Sequence, residues 1–264
     1  MLTSTQNPLV KEIKKLHTAK GRREQQKFLL EGTHLVEEAC AVDYPLVTIC
    51  CTPQWQERHP QLWQEAASRC QRAEVVSNEV MGAIATTVNP DGVVATAERI
   101  FPGDSEQQAD SPLLTSIGLA LETMQDPGNL GTIIRTCAAA GTQRLWLSTD
   151  SVDLDNPKVL RSSAGQWFRL PMVVSPNLQD VVAQCQTQGI QVVATVPSAT
   201  LSYWDIDLRC PTLILLGNEA AGLTTELAQK ADQKVKIPLS PEVESLNVAI
   251  AAALILYEAK RQRQ

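Results

Sequence analysis

Four apolar runs in the second half of the chain constrain its fold most: IGLALETM (117–124), RLWLS (144–148), IQVVAT (190–195) and TLILLG (212–217). A strand with one face in water alternates apolar and polar residues. These runs do not, so both faces must be covered, as in a parallel sheet with helices on either side. The loops and helical segments between them fit that α/β arrangement. The chain closes with LNVAIAAALILYEAKRQRQ, an alanine-rich helix whose Lys260, Arg261 and Arg263 suit the negative end of a helix dipole.

The first hundred residues have a different texture. Basic helical stretches run to about Arg23, followed by an apolar strand at FLLEG, a helix from Thr33, and the β-rich run LVTICC. Helical patterns near 62–70 and 79–84 and a closing strand at GVVATAERI complete a smaller α/β domain. PGDSEQQADSP (102–112) is polar, holds two prolines and has no apolar period, so it reads as a linker. The expected organisation is a domain over 1–101, the linker, and a second domain over 113–264.

With 44% hydrophobic and 20% charged residues the composition is that of a globular protein, and no apolar run approaches a membrane span. The start, MLTSTQNPLVKEIKK, lacks the apolar core of a secretory signal, which predicts a cytoplasmic protein. Seven cysteines without a CxxC pair argue for a reduced compartment. His17, His34 and His59 lie in the first quarter and share no ligand spacing, so no metal is expected. A Ser-His or Cys-His pair cannot be built within the second half.

Net charge is −6, yet residues 1–27 carry seven Lys and Arg against two Glu. That excess of five leaves the remainder at −11. Lys11, Lys14, Lys15, Arg22 and Arg23 are therefore candidates for phosphate contacts, and a solvated amphipathic helix is the plainer alternative.

Three constellations could carry chemistry. DPGNLGTIIRTCAAAG (126–141) follows a buried strand: Pro127 and Gly128 turn the chain, and a helix over 132–140 ends at Gly141. Asn129 in the loop and Arg135 in the helix would face one space beyond the strand's carboxyl end, where parallel sheets bind ligands. LILLGNEAAGL (213–223) runs from a strand into a glycine turn holding Glu219. It has Leu223 where a phosphate loop needs lysine, so a nucleotide hydrolase is disfavoured. VKIPLSPEVESLNVAIAAALILYE (235–258) sets Ser245 and Asn247 around Leu246 where the last helix begins, with Ile237 and Leu239 beside a proline. Simple N-capping by Ser245 would also explain that serine.

In order and spacing, DPGNLG with IIRT, GNEAAGL, and IPLS with ESLNVA and LYEAKRQ resemble the three motifs of the SpoU (TrmH-type) family of RNA 2′-O-ribose methyltransferases, a branch of the SPOUT superfamily. The resemblance covers about 113–264, and RSSAG (161–165) followed by RLP is a softer match. TSTQNPLVKEIKKL, KGRREQQKFLLEGTHLVEEA and NPDGVVATAE resemble the substrate-binding domain often attached to that family, similar to RNA-binding ribosomal proteins. The resemblance implies a C-terminal trefoil knot, a homodimer through the knotted domains, and methyl transfer from S-adenosylmethionine to a ribose 2′-hydroxyl of structured RNA. The N-terminal domain favours ribosomal over transfer RNA. Gly217, Ile237 and Leu246, with Thr195 and Leu239, would contact the donor, and Asn129, Arg135, Glu219, Ser245 and Asn247 would form the catalytic cluster. Arg135 is the family's favoured base, although a guanidinium normally stays protonated and can equally clamp phosphate, with Asn129 and Glu219 holding it. Ala249 stands where the family commonly has serine, which leaves an idle RNA-binding paralogue as the rival reading.

Overall fold

The computed structural model describes residues 1–101 and 113–264. The expected linker over 102–112 lies outside the described residues. The chain divides into two compact units, one of residues 1–100 with 153–168, the other of 101–152 with 169–264.

The first unit holds a four-stranded sheet in the order β1 (Lys27–Glu31), β4 (Val93–Glu98), β2 (Leu46–Cys51), β3 (Arg72–Val75). β4 runs antiparallel to both neighbours, and β2 and β3 are parallel. Its helices are α1 (Pro8–Lys15), α2 (Ala19–Gln25), α3 (Thr33–Ala41), α4 (Pro53–Arg58), α5 (Pro60–Arg69), α6 (Asn78–Ile84) and, from the later segment, α8 (Pro157–Ser162). Leu9, Val10 and Ile13 of α1 pack on Leu29, Cys50 and Val94 of the sheet and on Val80, Met81 and Ile84 of α6.

Residues 153–168, expected within the second domain, belong to the first unit. Trp167 is fully buried, its ring 5.1 Å from Phe28 and 5.9 Å from Tyr44, and its indole N–H donates to Leu154 O at 2.9 Å. Arg161 Nη1 pairs with Glu31 at 3.1 Å. Gly165 has φ +77°, and a Cβ there would lie 2.3 Å from Glu38 Cγ, so only glycine lets this segment close on α3.

Of the five RNA candidates, Arg22 is used internally and Arg23 is exposed but ion-paired. Arg22 is 2% exposed and donates to Asp155 Oδ1 at 2.9 Å, Asp153 Oδ2 at 3.0 Å and Leu16 O at 3.3 Å. Arg23 Nη2 donates to Asp153 Oδ1 at 2.6 Å. Arg22 is thus corrected as an RNA contact, being buried between carboxylates more than 130 residues away that composition cannot reveal, whereas Arg23 stays exposed with its side chain 62% accessible. Lys11, Lys14 and Lys15 remain exposed on α1.

The second unit is a seven-stranded sheet in the order β7 (Met172–Ser175), β6 (Arg144–Ser148), β5 (Ile117–Leu121), β10 (Thr212–Leu216), β8 (Gln191–Thr195), β11 (Gln233–Lys236), β9 (Leu201–Ser202). Every pairing is parallel. Its helices are α7 (Pro127–Ala140), α9 (Leu178–Thr187), α10 (Thr225–Lys230) and α11 (Val248–Gln262). Leu213 and Leu215 of β10 join Val182 and Cys185 of α9 and Leu227 of α10 in one cluster. By strand alternation Thr212, Ile214 and Leu216 face the other way and are buried too, which is why β10 reads as a continuous apolar run. β7, β9 and β11, short or charged at alternate positions, carried no such signal.

The order of strands reverses between β5 and β10: from β5 the chain builds towards β6 and β7, and it returns on the other side for β8 onwards. The carboxyl ends of strands at such a switch point leave a crevice for ligands. Among the described residues no helix is long and apolar enough to cross a membrane.

Candidate active site

The loops leaving β5 and β10 meet at that switch point. After β5, Asp126 caps α7 by accepting from Asn129 N at 2.8 Å, Pro127 takes the first helical position, and Gly141 ends the helix with φ +84°. The helix thus begins five residues earlier than the sequence suggested, because Asp-Pro is an N-cap followed by a residue that needs no donor. Asn129 is therefore on the first turn rather than in a loop.

After β10 the chain turns tightly. A Cβ on Gly217 would lie 2.0 Å from the carbonyl carbon of Gly222, so the position excludes every side chain. Asn218 and Gly222 exchange backbone hydrogen bonds of 3.1 and 2.9 Å, and Asn218 Oδ1 accepts from Ala220 N and Ala221 N at 2.8 and 3.0 Å. Asn218 Nδ2 donates to Thr123 O at 2.8 Å, tying this loop to the end of β5. The turn holds Glu219 towards α7.

Three predicted residues form one hydrogen-bonded chain. Asn247 is the N-cap of α11, its Oδ1 accepting from Ala249 N at 2.9 Å, so capping falls to Asn247 and not Ser245. That leaves its amide group to donate to Asn129 Oδ1 at 2.9 Å, and Asn129 Nδ2 donates on to Glu219 Oε1 at 3.2 Å. The capping bond sets the orientation of the first amide, and each partner sets the next.

Arg135 is not brought into this set. It lies six residues beyond Asn129 on the same helix, about 120° around its axis and about 9 Å along it. It is exposed and, among the described residues, has no hydrogen-bond or ion-pair partner. The expectation that Asn129 and Glu219 clamp its guanidinium is thus corrected within one chain, for a reason of helical phase. Ser245 is exposed on the cavity rim, and Ala249 is buried at 4% exposure, its methyl part of the packing of α11. Cys137, two residues beyond Arg135, is fully buried, and desolvation pushes its thiol up to about 12, so it is no nucleophile at neutral pH.

Beside the Asn129–Glu219–Asn247 chain lies a cavity of about 370 Å³, within the range of small-molecule pockets. Its wall includes Thr195, Gly217, Glu219, Ile237, Leu239, Ser245 and Leu246, drawn from the ends of β8 and β10, the stretch after β11 and the start of α11. All five residues expected to hold the donor are thus in one wall, joined by Pro197, Val248 and Ala251, which sequence reading missed because nothing marks a lining proline, valine or alanine. Asn218 was also missed; asparagine after glycine at a strand end is a turn signal that could have flagged it. Thr195 Oγ1 is buried there and, among the described residues, has no hydrogen-bond partner. Buried hydroxyls are ordinarily paired, so this one marks a place for a polar ligand atom.

Residues 116–257 match the model of the SpoU rRNA methylase family. The chain belongs to the SpoU rRNA methylase family. Residues 7–95 match the MRM3-like substrate-binding domain. An uncharacterized tRNA/rRNA methyltransferase of Synechocystis sp. is 46% identical over 99% of this chain and 94% of its own length. The 23S rRNA (guanosine(2553)-2′-O)-methyltransferase RlmP of Bacillus subtilis is 34% identical over 98% of both chains. The structure superposes on the AdoMet-bound rRNA methyltransferase of Sinorhizobium meliloti with a TM-score of 0.87 and 34% identity, covering 98% of this chain and 97% of that one.

Proposed function

We propose that this SpoU methylase transfers a methyl group from S-adenosylmethionine to a ribose 2′-hydroxyl of 23S ribosomal RNA, in the cytoplasm. The observation that carries the reading is the Asn247–Asn129–Glu219 chain beside a cavity with an unpaired buried hydroxyl, at the sheet's switch point. The names of the relatives support ribosomal RNA over transfer RNA.

S-adenosylmethionine supplies an electrophilic methyl on a sulfonium. The protein's share is alignment of the ribose oxygen and removal of its proton. Thr195 Oγ1, the backbone of Gly217, Ile237 and Leu246, and the Leu239 side chain would hold the donor. Glu219 would accept a hydrogen bond from the incoming hydroxyl, with Asn129 and Asn247 holding the carboxylate in place, and Ser245 would close the rim. Arg135 would bind the adjacent phosphate and polarise the hydroxyl.

Because Arg135 stands apart in one chain, the centre is proposed to be completed in a homodimer, each copy lending Arg135 to its partner. α7 packs on α11, whose Ile250, Leu254 and Tyr257 are 51%, 37% and 50% exposed along one stripe. An apolar stripe of that kind suits burial against a second copy. The trefoil knot implied by the motifs is proposed for the segment leading into α11. The first unit is proposed to bind RNA through Lys11, Lys14 and Lys15.

Labelled S-adenosylmethionine offered with 23S, 16S and transfer RNA tests the reading. Label in 2′-O-methylribose of 23S RNA is expected; label only on bases, or none, overturns it.

A further inference from the structure

Thr123, two residues past β5, has φ +55°. A β-branched residue in the left-handed region is strained, and such strain persists only where surroundings hold it. Here they do so from the end of β6 and the loop that follows it. Thr123 N donates to Ser148 Oγ at 2.7 Å, Thr123 Oγ1 donates to Asp150 Oδ2 at 2.7 Å, and the Ser148 hydroxyl donates to the other carboxylate oxygen. These bonds, Ser148 first and Thr123 second, hold the Asp150 carboxyl below its usual range. The next residue is tied to the same loop, Met124 N donating to Ser151 Oγ at 3.0 Å and Met124 O accepting from Val152 N at 2.7 Å.

So oriented, the Thr123 carbonyl accepts from Asn218 Nδ2 at 2.8 Å. Asn218 in turn shapes the 217–222 loop through its bonds to Ala220 N, Ala221 N and Gly222. That loop carries Glu219 and forms one wall of the cavity.

We propose that Thr123 is a positioning residue for methyl transfer: Asp150 and Ser148 hold its left-handed backbone, and its carbonyl pins Asn218, which keeps Glu219 in register with the donor cavity. This rests on the assignment of that cavity to the methyl donor.

The substitutions Thr123→Val, Thr123→Ser and Thr123→Gly separate the roles. Valine keeps the branched shape but cannot donate to Asp150, so the strained turn relaxes and Asn218 loses its anchor. Serine keeps the hydroxyl, and glycine adopts positive φ without needing the tie. Turnover of the Val variant, measured where circular dichroism shows it folded, is expected to fall about tenfold or more, the Ser and Gly variants remaining within about threefold of wild type. Amide exchange at Ala220 and Ala221, independent of activity, is expected to quicken about tenfold in the Val variant alone. Full turnover by folded Thr123→Val with unchanged exchange overturns the proposal. So does a Gly variant as impaired as Val, since that would mean the hydroxyl acts directly and not through the backbone. Should Thr123→Val not fold, Asp150→Ala removes the same tie from the other side and carries the same two expectations. Wild-type protein that fails to bind S-adenosylmethionine while showing the exchange pattern would refute the donor assignment and leave the pin standing.

Discussion

Arg22→Gln separates structure from RNA binding. In the folded unit the Arg22 side chain is 3% exposed and bridges Asp155, whose side chain is 1% exposed, and Asp153, at 14%. Removing one partner of a buried pair costs about 3–5 kcal/mol, chiefly through the charge left behind. Asp155 keeps Arg99 and Asp153 keeps Arg23, which places the loss at the lower end, about 3 kcal/mol. For a unit of roughly 115 residues, at about 4 °C per kcal/mol, the melting temperature should fall about 12 °C. Differential scanning calorimetry reads the shift, and a double-mutant cycle with Asp155→Asn should recover much of it. The salt dependence of RNA binding, measured well below melting, should keep its slope. An unchanged melting temperature with a slope reduced by about one would show that Arg22 contacts phosphate and that its burial is misread.

Arg135→Ala should bind S-adenosylmethionine nearly as wild type by calorimetry yet lose at least about a hundredfold in transfer to its RNA; near-normal turnover would remove Arg135 from the centre. Replacing Lys11, Lys14 and Lys15 together with glutamine should weaken RNA binding and lower the slope of log K against log salt by up to about 2.7, and an unaltered slope would place the RNA elsewhere. Glu31 is buried, which alone would raise its pKa, but hydrogen bonds from Thr86 and Thr87 and the charge of Arg161 outweigh that and hold it below 4.5. Its stabilisation is therefore present above pH 4.5 and lost as pH falls through the lower folded value, so unfolding titrations from pH 6 to 3 should show a steeper loss for wild type than for Glu31→Gln.

Much of the second unit was legible in the sequence because its determinants are local. Continuous apolar strands demand cover on both faces, so IGLAL, RLWLS, QVVAT and TLILL announced a parallel sheet before any pairing was known. The glycine of LILLGNE and the Asp-Pro start of α7 are likewise local signals, since one follows from backbone crowding and the other from unsatisfied helix donors. The contacts among Asn129, Glu219 and Asn247 join positions 90 and 118 residues apart; the strand order β5–β10 brings the first two together, and the packing of α11 on α7 adds the third. Sequence spacing could put Asn129 near Arg135, but the helical start at Pro127 turned them apart. Charge showed the same limit: Arg22 counts as positive in any composition, and only Asp153 and Asp155, folded back with residues 153–168, decided that it stabilises the first unit instead of facing solvent. Propensity, capping and burial pattern act over a few residues and survive in the linear chain. Which distant charges and amides meet depends on packing of the whole sheet, and that the tertiary structure alone decides.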